Sequence, residues 1–188
     1  MMERHFQRLA EIFRSIDNLY EMAQKHYSFG CEGCADNCCE TKFHHHTLIE
    51  ELYLAEGLKR LAEDTKKAAL ARAAGVVKIH NESSDDVRVM CPLNENGLCI
   101  IYEHRPMICR IHGVPYQLFK QNMAIEFGMG CYRFLNEKLG GDVPYFMFNR
   151  TMFYMEMAKL EKEVREGLGH TGDYKKTTAE MVVSILGG

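Results

Sequence analysis

Four of the chain's eight cysteines crowd into nine residues, as Cys31-x2-Cys34-x3-Cys38-Cys39, and the other four stand apart at Cys91, Cys99, Cys109 and Cys131. In an exported protein, eight cysteines would be read as four disulfides. The opening residues Met1-Met2-Glu3-Arg4-His5 are instead charged and lead into an amphipathic pattern, so a reducing, cytoplasmic setting is expected. Nor does the chain need staples, because 188 residues, 46% of them hydrophobic, can bury a core unaided. Free thiols also pack as small hydrophobes. That suits scattered cysteines and fits the dense run at 31–39 poorly, so the spacing favours metal ligation.

Charge closes other routes. Lys and Arg total 23 against 26 Asp and Glu, a net charge of −3 with no single-sign block, so neither nucleic acid nor a membrane surface is expected as a partner. No apolar run reaches the ~18 residues that span a bilayer. A protein partner remains open.

The periodicity predicts a mainly α fold of one domain over 1–188. Helices at both ends, 1–28 and 145–188, flank a metal-organised centre at 31–131 with little regular structure and a few short strands. In the first helix Met2, Leu9, Ile16 and Ala23 recur every seven residues, joined by Phe6, Ile12, Phe13, Leu19 and Tyr20. Its end is expected at 26–30, with Gly30 as the stop. Thr47-Leu48-Ile49-Glu50 reads as a capping box opening a second helix that continues to about Ala73, weakened at Gly57. Asn81 to Asp86 reads as a loop, Asn94-Glu95-Asn96-Gly97 as a turn, and Val87–Met90 and parts of 116–127 as strands. A third long helix is expected from Pro144 to about Leu168. Nine of the 13 residues 145–157 are aromatic or Met, which predicts burial in the core, with burial against a partner as the alternative. Thr177 and Glu180 cap a last short helix carrying Met181, Val182, Ile185 and Leu186.

Zinc and iron–sulfur centres each take about four thiolates, so eight cysteines are enough for two. Adjacent side chains of an extended stretch point to opposite sides, which places Cys38 and Cys39 on different centres. One centre would combine Cys31, Cys34 and one of the pair with a single cysteine from 91–131. The other would take the remaining four. A single centre with spare thiols is the alternative. His44-His45-His46 follows closely; it reads as a polar lead-in to the second helix, with one or two ligands as the alternative. Arg105 and Arg110 flank Cys109 and are candidates to hydrogen-bond the sulfurs or a ligand's anion, against a solvated face or a salt bridge to Glu103. Cys91-Pro92 echoes the end of a ferredoxin run, but that run's other spacings are absent, so zinc and iron stay open.

Cys31-x2-Cys34-x3-Cys38-Cys39, Cys91-Pro92-Leu93, Gly97-Leu98-Cys99-Ile100-Ile101-Tyr102-Glu103-His104-Arg105-Pro106-x2-Cys109-Arg110 and Gly130-Cys131 together resemble the cysteine-cluster proteins with zinc- or iron-chelating domains (YkgJ-like). The resemblance covers 31–131 and implies that all eight cysteines are metal ligands. Those proteins are similar in turn to flagellin lysine N-methylases, where the cluster accompanies methyl transfer. No Gly-rich loop after a strand offers a methyl-donor site here, and no nucleophile–base pair stands out. Three functions follow as expectations: an iron–sulfur protein for electron transfer or part of an oxidoreductase, a zinc-stabilised protein-binding module, and a methyltransferase-type enzyme.

Overall fold

The structure, a computed structural model, describes residues 2–31, 38–84, 86–120, 122, 124–138 and 143–188. It is mainly α: the described residues form seven α-helices and six strands of two to four residues, with helices near both ends. The chain divides into two compact units, Met1–Asp36 with Arg110–Glu163 and Asn37–Cys109 with Val164–Gly188.

The first unit is built on α1 (Met2–Tyr27), which buries Leu9, Phe13, Ile16, Ala23 and Tyr27. These residues fall at helical spacing and form a narrower stripe than the heptad reading implies, with Ile12 and Leu19 only partly buried. The helix ends before Gly30. Ser28 takes a left-handed φ of 46°, its N–H bonds the Lys25 carbonyl at 3.2 Å, and the Phe29 N–H bonds that of Gln24 at 3.0 Å. That pair of bonds is a Schellman ending in which serine occupies the usual glycine position. The antiparallel hairpin β4 (Tyr116–Phe119) with β5 (Ile125–Gly128) confirms the strands expected in 116–127. The short α5 (Tyr132–Lys138) follows, and α6 (Thr151–Leu168) begins in this unit.

The methionine- and aromatic-rich stretch departs from expectation twice. It is not helical from Pro144, since α6 starts at Thr151 and the preceding residues lie beside β4, with Gln117 N–H bonding Phe148 O and Arg150 N–H bonding Gln117 O, each at 3.0 Å. Nor is it wholly buried. Phe148 and Met157 are in the core, while Met147, Met152 and Met155 stay 65%, 58% and 58% exposed. Met147 precedes the helix; within α6, with a residue every 100° or so, one face cannot bury every apolar side chain of a solid run, and the remainder is left on the surface.

The second unit contains α2 (Leu48–Lys59), α3 (Glu63–Glu82) and α7 (Thr178–Leu186) around Leu54, Leu58, Ala69, Ala73, Val76, Met181 and Val182. The single helix expected from Thr47 to Ala73 is two helices. The first closes as the Arg60 N–H bonds the carbonyls of Gly57 and Leu58, and α3 restarts with Glu63 and Asp64 in its first turn, then runs on to Glu82. The reciprocal box expected at Thr47 is also absent. Its hydroxyl donates to one Glu50 carboxylate oxygen, while the other accepts the Met107 N–H at 2.7 Å. At α7 the box is complete: Thr177 N–H donates to Glu180 at 2.6 Å and Glu180 N–H to the Thr177 hydroxyl at 3.3 Å.

His44–His45 forms strand β1, paired antiparallel with β6 (Lys176–Thr177). The polar lead-in expected before α2 is therefore a short strand, with its middle histidine buried. His45 is buried, its Nε2 lies 3.0 Å from the Thr178 hydroxyl, and burial, reinforced by His44 and His46, holds its pKa down at about 4. The lowered value means that the unfolded chain binds the proton first as acid is added. Stability is therefore full above pH 6.5 and declines by roughly 3 kcal/mol as pH falls to about 4. Denaturant midpoints at pH 7 and pH 4.5 should show that loss in the native chain and much less of it in His45→Gln. Gly57 supplies a second test. A Cβ there would stand 2.8 Å from both Cβ and Cγ of His104, atoms that cannot swing away, so Gly57→Ala should cost about 2 kcal/mol in urea unfolding.

Candidate metal centre

Within the second unit, four short segments bring cysteines together. Cys38–Glu40 is a 3-10 turn closed by the Thr41 N–H on the Cys38 carbonyl at 3.1 Å. It runs beside 89–91, where Cys91 N–H donates to Cys39 O at 2.8 Å and Val89 N–H to Glu40 O at 3.1 Å. These bonds stand where the residues predict a strand at Val87–Met90; that segment is irregular. Cys91 opens a turn closed by Asn94 N–H at 3.0 Å, leading into the hairpin β2 (Asn94–Glu95) with β3 (Leu98–Cys99), in which Asn94 faces Cys99. Asn96 and Gly97 take φ values of 52° and 85°, the positive pair that a two-residue hairpin turn requires.

The fourth segment is α4 (Met107–Ile111), carrying Cys109. It is anchored by the buried Glu50 carboxylate through the Met107 N–H bond, and by His104, which packs against Gly57 and lies 4.7 Å ring to ring from Tyr53. Leu93 and Ile101 are buried in the hydrophobic core beside it. The irregular loops thus hang from helix α2 at one edge and from core leucine and isoleucine at the other.

The sulfurs feel one another. Burial first, then the charges of Cys39 and Cys99, push the Cys91 thiol up to about 12 against hydrogen bonds from the Leu93 and Asn94 backbone. Cys109 is raised well above the usual thiol range by its packed surroundings, and then by Cys91, Cys99, Cys39 and Glu50, although the residue keeps an exposed surface. Cys39 moves the other way, down to about 6. Hydrogen bonding from Cys38 is the chief cause, helped by Asn94 and opposed by burial and Glu40. Cys91 and Cys109, whose ionisation the neighbouring thiolates penalise, form with Cys39 and Cys99 a donor set that suits a thiophilic cation, which removes the penalty by replacing protons with positive charge. Zinc and iron both fit that chemistry. Among the described residues, no three His, Cys, Asp or Glu side chains are already drawn round one point to enclose an ion.

The adjacent pair overturns one expectation. Cys38 and Cys39 are not extended; a 3-10 turn rotates successive side chains by about 120°, and the two thiols hydrogen-bond. In the first unit, Cys31 lies 3.8 Å from the Tyr20 hydroxyl, and Cys131 donates its N–H to Gly113 O at 2.9 Å while its sulfur accepts from Phe134 N–H. Cys34 lies outside the described residues. Of the two arginines, Arg110 pairs with Asp17 at 2.5 Å and Arg105 bonds Tyr102 O and stacks over that ring at 3.7 Å. Asn94 and Glu50 are absent from the set that the sequence singles out. An Asn three residues after Cys91 and opposite Cys99 is a usable signal, whereas the Glu50 contact is set by tertiary packing.

In the metal-free protein, alkylation at pH 7 should strike Cys39 before Cys91 and Cys109, which should react only under strongly alkaline conditions. Mass mapping of labelled peptides across a pH series checks that order.

A model of the CxxCxxCC family, described as "Putative zinc- or iron-chelating domain", matches residues 30–131, more than half of the chain. No curated protein and no solved structure matches it. No helix among the described residues is long and apolar enough to cross a membrane.

Proposed function

Because the chain belongs to the CxxCxxCC family of zinc- or iron-chelating domains, we propose that it is a metalloprotein whose principal centre is held by Cys39, Cys91, Cys99 and Cys109. The observation that carries this reading is the electrostatic penalty that Cys39 and Cys99 place on Cys91, and that all three place on Cys109, the four sulfurs coming from three loops and one short helix of the same unit. Cys38 serves as a hydrogen-bond donor to the Cys39 sulfur, so one thiolate is ready at neutral pH to start capture. Cys91 and Cys109 give up protons as the centre loads, which makes loading release about two protons or more per centre and weakens it in acid. Once formed, the centre staples segments that share little regular hydrogen bonding.

Cys31 and Cys131 of the first unit, together with Cys34, extend the ligand set, so the reading includes a second centre. If the bound element is iron as a cluster, the partly exposed Cys109 gives electrons a short route to the surface, and the function is electron transfer. A second reading, a zinc-stabilised module that binds a protein, draws on the exposed Met147, Met152 and Met155, since methionine-rich surfaces adapt to varied partners.

Elemental analysis of anaerobically purified protein, with absorption spectra, tests the reading. Two zinc or two clusters per chain is the expected result. Cys39→Ser, Cys91→Ser or Cys109→Ser should each remove one centre and lower unfolding stability by several kcal/mol. Native protein free of both elements, and equally stable after chelation, would sink the proposal.

A further inference from the structure

The backbone leaving α4 presents three successive carbonyls to three different groups of the first unit. Ile111 O accepts from the Arg150 guanidinium, His112 O from the Tyr20 hydroxyl at 2.7 Å, and Gly113 O from the Cys131 N–H at 2.9 Å. The same Tyr20 hydroxyl lies 3.8 Å from the Cys31 sulfur. Glycine is needed at both crossing points: a Cβ on Gly113 would come within 2.7 Å of the Tyr20 oxygen, and one on Gly130 within 2.7 Å of Gly113 O. Two cysteines and one arginine are therefore tied to a single three-residue stretch.

Arg150 is anomalous there. It is 4% exposed, its Nε has no hydrogen-bond partner, and no carboxylate pairs with it among the described residues. Its side-chain company is the Ile111 carbonyl, the Tyr154 hydroxyl and the faces of Tyr116 at 3.6 Å and Phe148 at 5.2 Å. Arg110, just as buried, is by contrast balanced by Asp17 at 2.5 Å. A buried guanidinium without a countercharge is costly to keep. Ring faces and carbonyls offset part of that cost, and a full negative charge nearby would offset the rest.

We propose that Arg150 is the resident countercharge of an anionic thiolate centre that includes Cys31 and Cys131, positioned through Tyr20 and the 111–113 backbone. It is a positioning residue and not a ligand. The inference rests on the metal-binding reading, because the thiols become anions when a cation displaces their protons, and several thiolates leave such a centre net negative.

The test compares native protein, Arg150→Met and Arg150→Lys, with zinc as the probe. Zinc retained per chain against a competing chelator is measured beside the melting temperatures of the metal-free and zinc-loaded forms. Arg150→Met is expected to melt at or above the native chain when metal-free, since an uncompensated charge has gone, yet to bind zinc about tenfold more weakly at this centre. Arg150→Lys, which keeps the charge, should recover most of that affinity. Equal loss of stability in both forms with unchanged zinc retention would overturn the proposal and leave Arg150 as an ordinary packing residue. If Arg150→Met does not fold, Arg150→Gln, which preserves a donor for Ile111 O, supplies the same comparison. A Cys31→Ser, Cys131→Ser double variant separates the two failures: should it hold as much zinc as the native chain, the metal reading of this centre is at fault and not the role of Arg150.

Discussion

Thiolates repel, and that repulsion governs the middle of this protein. Ionised Cys39 and Cys99 make Cys91 harder to ionise, and the three together do the same to Cys109. Left to themselves, three of the four segments carrying them have little to hold them beyond a few backbone bonds and a two-residue hairpin. A cation that replaces the protons turns the same proximity from a penalty into an attraction of many kcal/mol. Helix α2 prepares the ground through Glu50 and through the close approach of Gly57 to His104, so the α4 cysteine is in place before any ion arrives.

What is legible in the residues divides along a physical line. The thiols announce themselves, because a chain able to build its own core has little use for so many crowded cysteines except to bind metal. The capping box at Thr177 is local and stands as read; of the turn read over 94–97, Asn96-Gly97 holds while Asn94-Glu95 is strand. The one at Thr47 fails because Glu50 is recruited by Met107, a contact no local pattern contains. The orientation of Cys38 and Cys39 is hidden for a similar reason: a tight turn and an extended run have the same cysteine spacing and differ only in backbone angles. The methionine-rich stretch reads as core on hydrophobicity alone, whereas the start of α6 at Thr151 leaves part of it facing solvent.

Electrostatic balance separates residues that hydropathy treats alike. Arg110 and Arg150 are both nearly inaccessible, yet one is neutralised by Asp17 and the other faces rings, a phenol and a carbonyl. Glu51 is likewise closed off, but it is surrounded by Lys176 and the Tyr174 hydroxyl, so its charge is fully met. Against that norm of paired burial, Arg150 stands out as a charge kept for something beyond packing.

The hairpin of Asn96 and Gly97 bears on the order of assembly. Closing so small a loop is fast and costs little chain entropy, so Cys91 and Cys99 become neighbours early, on their own local contacts. Cys39 and Cys109 depend on contacts of higher order and join afterwards. A growing chain thus presents a bidentate sulfur claw before it presents a cage, and a metal supplied during synthesis can act as a folding nucleus and not only as a finishing clamp.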